Sequence, residues 1–105
     1  MKRDAIEAWL RARRPERPGA LALQMSRSVG ACPTGALDEA TSVSAALGVL
    51  GLRTLAGVTR AQTPDAQLAL ELLAADAFVT YAFEAAAEED VAVAPFVCWL
   101  VREAA

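Results

Sequence analysis

The chain has no histidine and no asparagine among its 105 residues, and Lys2 is its single lysine. Histidine is the commonest general base and a frequent metal ligand, so its absence removes the usual route to acid–base catalysis. A zinc site with four cysteine or histidine ligands is excluded, because Cys32 and Cys98 are the only two such residues. The sequence therefore favours a non-enzymatic protein without a cofactor or metal.

Cysteine is also too scarce for a disulfide framework. No secretory signal follows Met1, and the most apolar segment, 43–52, is too short to span a bilayer. We therefore expect a cytoplasmic protein that does not contact a membrane. Arginine in place of lysine and the lack of asparagine fit GC-rich codon usage, which indicates a bacterial source.

Hydrophobic residues make up 55% of the chain, which is too many for a disordered protein. The length suits one domain covering residues 1–105. The strongest structural signal is 64–88, a stretch rich in alanine, leucine and glutamate with no glycine. Thr63 is the expected N-cap, Pro64 the first helical residue and Asp65 a first-turn acid. Such a helix would be roughly 37 Å long.

Apolar residues fall on two nearly opposite faces of this predicted helix. One face contains Leu68, Leu72, Ala75, Val79, Phe83 and Ala86, and the other contains Leu70, Leu73, Ala77 and Tyr81. A helix with two apolar faces needs neighbours on both sides. We therefore predict an all-α fold, an irregular bundle of about four to six helices around 64–88.

The other predicted helices follow from apolar spacing and from the positions of glycine and proline. They cover residues 2–14, 19–29, 36–49 and 95–104. Gly30 is expected to end the second of these helices. Two alternatives exist near Gly51: a break followed by a short helix through Val58, or one continuous helix whose glycines allow close contact. We favour the break.

Charge is divided unevenly along the chain. Residues 1–30 carry seven basic and three acidic side chains, whereas residues 61–105 carry Arg102 against eight acids. The two parts could face each other within one fold, associate head to tail between chains, or form a basic patch for nucleic acid. The net charge of −3 and the lack of a recognition-helix motif argue against nucleic acid.

Two sets of residues are candidate sites. Phe96, Trp99 and Leu100 with Tyr81 form the expected protein–protein interface, because a terminal helix this apolar is either wedged into the core or covered by another subunit. Asp76, Thr80 and Glu84 form a polar stripe that would line a pocket, or would be solvated and paired to an N-terminal arginine. We predict a self-associating helical interaction module. The alternative is a small-ligand carrier or sensor with a pocket between the central and last helices.

Overall fold

The computed structural model describes residues 1–105 as six α-helices joined by turns, with no strand. The helices are α1 (Arg3–Arg11), α2 (Gly19–Ala31), α3 (Thr34–Asp38), α4 (Val43–Arg60), α5 (Ala66–Glu88) and α6 (Val93–Ala104). Helix α5 is central and contacts α2, α4 and α6. The predicted all-α class and the central position of the 64–88 helix are confirmed.

The start of α5 differs from the prediction. Asp65 is the N-cap, and its Oδ1 accepts a hydrogen bond from the Leu68 amide at 2.7 Å. The expected Thr63 cap with Pro64 as the first helical residue is therefore wrong. Aspartate caps at least as well as threonine, and its negative charge faces the positive end of the helix dipole.

Helix α4 runs unbroken to Arg60, so the favoured break near Gly51 is wrong and the continuous alternative is right. The predicted helix 36–49 is instead interrupted at 39–42, where Ser42 accepts a hydrogen bond from the Ala45 amide and caps α4. A Cβ at Gly51 would lie 2.8 Å from Val79 Cγ2. Close packing on α5 therefore offsets the poor helix propensity of glycine, which is roughly 1 kcal/mol relative to alanine.

The core lies where α4 and α5 cross the shorter helices. Its fully buried large side chains are Phe78, Ile6, Leu10, Met25, Leu37, Leu47, Leu50 and Val29. Between them α5 contributes mainly alanine, since Ala74, Ala75, Ala82, Ala85 and Ala86 are all buried. Small side chains let the helix axes approach closely.

Helix α5 ends at Glu88, the predicted end of the 64–88 helix. Asp90 follows in the left-handed conformation with φ of 58°. The Val91 amide donates to the Ala86 carbonyl at 2.9 Å, and the Asp90 amide donates to Ala87 at 3.2 Å. This pattern is a Schellman motif with aspartate at the position that glycine usually occupies.

Glu89, the residue that follows α5, binds the N-terminus of α4. Its carboxylate accepts hydrogen bonds from the Ser44 amide, at 3.1 Å, and from the Ser44 hydroxyl. A carboxylate at a helix N-terminus satisfies a free amide and meets the positive end of the dipole. An acid that would oppose the dipole of α5 therefore stabilises the adjacent α4.

Other boundaries differ as well. Helix α1 covers Arg3–Arg11 rather than 2–14, and α3 begins at Thr34 rather than at 36. Helix α2 continues through Gly30 to Ala31, and Cys32 is extended with ψ of 133°. Pro33 explains this end, because the residue before a proline avoids the helical region. Helix α6 begins at Val93, two residues before Pro95, which lies within its first turn.

Candidate functional site

The inner face of α6 belongs to the core. Phe96 is 5% exposed and Leu100 is 8% exposed. The Phe96 ring lies edge-on to Phe83 at 5.1 Å and stacks on Trp99 at 5.6 Å, and Trp99 packs over Gly48. Two of the predicted interface residues, Phe96 and Leu100, are therefore covered by their own chain, and Trp99 is half-buried.

The outer face of α6 is also apolar. Val93, Val97 and Val101 are 68%, 39% and 64% exposed, and Cys98 beside them is exposed as well. A spacing of four residues places the three valines in one stripe along the helix. This stripe was not predicted, although its spacing is visible in the sequence. We call Val93, Val97, Cys98 and Val101 the outer stripe.

Helix α5 also carries exposed apolar side chains. Leu72 is 48% exposed and Leu73 is 57% exposed, whereas Leu70 and Tyr81 are half-buried. Leu72 belongs to the first predicted apolar face and Leu73 to the second, so each face is only partly covered by the chain itself. By length and composition α5 could also cross a membrane, with a mean hydropathy of 1.3. A core helix passes the same test, and α5 carries Asp76 near its middle, where a charge is costly in a bilayer.

Tyr81 belongs to a polar network between α1 and α5. It lies edge-on to Trp9, with ring centroids 5.9 Å apart, and the Arg13 guanidinium lies 3.8 Å from the centre of the Trp9 ring. Arg13 Nη1 donates to Glu88 at 3.0 Å and to Glu84 at 3.3 Å, and Trp9 Nε1 donates to Glu88 at 3.0 Å. The basic N-terminal part and the acidic part therefore meet within one chain.

These contacts shift two pKa values in opposite directions. The Arg13 hydrogen bond, followed by that from Trp9, lowers the pKa of Glu88. The hydrogen bond to Glu88 raises the pKa of Arg13 in turn, with a smaller opposing effect of burial. Both groups are thus charged at neutral pH, and the network holds α1 against the C-terminal end of α5.

The polar stripe of α5 lies at the surface. Asp76 and Thr80 are exposed, and Glu84 is paired to Arg13. This arrangement matches the alternative in which the stripe is solvated and paired to an N-terminal arginine. Between α5 and α6 the Phe83 and Phe96 rings are in edge-on contact.

A cleft of about 290 Å³ lies elsewhere, between the end of α2, the second half of α4 and α5. Cys32, Arg53, Thr54 and Glu71 are among its lining residues. Cys32 is buried there, and its carbonyl accepts a hydrogen bond from Arg3 at 2.6 Å. No three histidine, cysteine, aspartate or glutamate side chains come together in a group that could hold a metal ion.

Comparison of the chain with protein-family models, with curated proteins and with solved structures found no match. The function of the chain is therefore inferred from its exposed apolar side chains and its cleft.

Proposed function

We propose that the chain is a non-enzymatic helical protein–protein interaction module that associates with copies of itself. The observation that supports this proposal is the outer stripe of α6, a helix that is apolar on the face it buries and on the face it exposes. A surface helix ordinarily has polar residues on its outer side. Contiguous exposed apolar surface is typical of protein interaction sites.

The charge distribution supports association with a folded partner rather than with nucleic acid. The chain has a net charge of −3, and Arg13 of its basic N-terminal part already pairs with Glu84 and Glu88. Neutralising phosphates requires free basic side chains on one face. The outer stripe instead offers valine and cysteine, which bind by burial of apolar area.

The proposal is tested by light scattering coupled to size exclusion across micromolar concentrations. The expected result is a mass above the 11.0 kDa of one chain, rising with concentration. The variant Val97→Asp should shift the particle to a monomer, because a charge would be buried without a partner. Thr80→Asp, at an exposed position of α5, is the matched control and should leave the mass unchanged. A monomer at every concentration would refute self-association.

A small-ligand carrier is the second candidate, now placed at the cleft near Cys32 rather than between α5 and α6. Arg53 and Glu71 line this cleft with opposite charges, and neither takes part in the ion pairs of the chain. Such a pair would suit a small zwitterion such as a free amino acid. A rise in melting temperature with added amino acids, lost in Arg53→Gln, would support it. No shift with any of them would refute it.

A further inference from the structure

On the premise of the proposed self-association, we infer that α6 packs antiparallel against α6 of a second copy, about a twofold axis near Val97 and Cys98. A twofold interface uses the same patch on both chains, so each residue must tolerate its symmetry partner. The patch must therefore be apolar near the axis and complementary in charge towards its two ends.

The centre of α6 meets the first requirement. On a helix of 3.6 residues per turn, Ala94, Val97, Cys98 and Val101 share the side opposite Phe96. All four are exposed, and none carries a polar group other than the thiol. An antiparallel pair centred here brings each Val97 against Cys98 of the partner subunit, and each Val101 against the partner's Ala94. Small and medium side chains thus alternate across the contact.

The two ends of the patch meet the second requirement. Arg102 is exposed at the C-terminal end of α6, and Asp90 is exposed in the turn before its N-terminal end. The three ion pairs of the chain involve neither residue. The antiparallel register sets Arg102 opposite the partner's Val93, within reach of the turn that holds Asp90. Each twofold contact therefore contains two Arg102–Asp90 pairs.

A parallel pair would have the opposite electrostatics. It would set Arg102 beside Arg102 and Asp90 beside Asp90, and like charges in contact are unfavourable. The antiparallel pair also places the negative end of each helix dipole beside the positive end of the other. The charges at the two ends of α6 therefore favour the antiparallel orientation. They also favour a second copy of the chain as the partner, because each copy carries both Arg102 and Asp90.

Helix α6 has 12 residues, so the contact is short, and we expect a weak dimer that dissociates in the micromolar range. The first test is cross-linking of the full chain with a short bifunctional maleimide. Cys98 is the natural probe, since Cys32 is buried and will not react. The expected product is a covalent dimer linked through Cys98 on both chains. The matched control is Leu73→Cys in a Cys98→Ser chain, which should remain uncross-linked.

The second test exchanges the charges. Arg102→Glu and Asp90→Lys should each weaken the dimer roughly tenfold, because every pair becomes repulsive. An equimolar mixture should recover the affinity of the original chain, since both pairs in the mixed dimer are again opposite in sign. Circular dichroism of each variant verifies that it is folded before mixing.

The outcomes separate this inference from the function it depends on. A chain that stays monomeric in light scattering refutes both. An oligomer that cross-links through Leu73→Cys and not through Cys98 refutes only the inference, and it places the interface on α5. An oligomer that cross-links through Cys98 but whose charge variants do not recover on mixing refutes the antiparallel register.

Discussion

Helices α4 and α6 each carry similar residues at positions that face the core and at positions that face solvent. On α6, Phe96 and Leu100 are almost completely buried, while Val101 on the other side and Val93 at the first position of the helix are mostly exposed. On α4, Gly51 touches Val79, while a Cβ at Gly57 would meet nothing within 4 Å. Apolar character alone therefore does not reveal which side faces the core, and each pair of positions gives a matched test of packing.

The largest effect is expected at Phe96. Phe96→Ala should lower the free energy of unfolding by about 3–5 kcal/mol, since a buried ring is lost and a cavity remains. Val93→Ala on the outer side should change it by less than about 0.5 kcal/mol. Urea denaturation at concentrations where the chain is monomeric measures both. Similar losses at the two positions would show that the inner and outer faces are not distinct.

The glycines of α4 should respond in opposite directions. Gly51→Ala should cost about 1–2 kcal/mol net, because crowding against Val79 exceeds the gain in helix propensity. Gly57→Ala should stabilise the protein by about 1 kcal/mol, since the methyl group enters open space. Melting temperatures of the two variants would measure this contrast. Stabilisation by both would mean that α4 and α5 are not in tight contact at Gly51.

A smaller gain is expected at Asp90, which joins the packed helix α5 to α6. Asp90→Gly should raise the free energy of unfolding by about 1 kcal/mol, because glycine adopts a positive φ without a steric penalty. Asp90→Ala removes the same charge but keeps a Cβ, so it separates backbone conformation from electrostatics. Equal stabilisation by both variants, measured by denaturation, would assign the effect to charge instead.

The smallest effect concerns Glu88, whose contacts lie at the surface. The lowered pKa of Glu88 means that its contribution to stability is present above the ordinary value of 4.5 and is lost as pH falls through the lowered pKa. Glu88→Gln should therefore melt at a lower temperature than the original chain at pH 7, and the difference should disappear in strong acid. Glu103→Gln, at a residue without an ion pair, should change the melting temperature little at either pH. A Glu88 difference that persists in acid would contradict the assignment.

Much of the fold could be predicted from local pattern. The long stretch rich in alanine, leucine and glutamate predicted α5 and its end at Glu88. The error in α4 came from helix propensity, which penalises Gly48 and Gly51 but contains no information about the neighbours they contact. The error at the start of α5 came from two residues on either side of Pro64, Thr63 and Asp65, that can both cap a helix.

Two of the residues predicted to form an interface, Phe96 and Leu100, are buried in their own chain, and the exposed valines of α6 were not predicted. Phe96 and Leu100 are the larger side chains of α6, and large apolar side chains are drawn into any available core. The valines that remain outside are smaller and less conspicuous in a sequence. The pairing of Glu84 with an N-terminal arginine was one of the two predicted alternatives for the polar stripe. That this arginine is Arg13 depends on how the N-terminal part of the chain lies against α5.

The sequence by itself determined the helical class, the central helix and the separation of charge, because helix propensity, apolar spacing and composition are properties of short segments. Only the tertiary structure decided which face of α6 is buried, why α4 continues through its glycines and where Glu88 and Glu89 bind. These features depend on contacts between residues far apart in the chain, such as Gly51 with Val79 and Ser44 with Glu89. Such contacts exist only once the helices have packed.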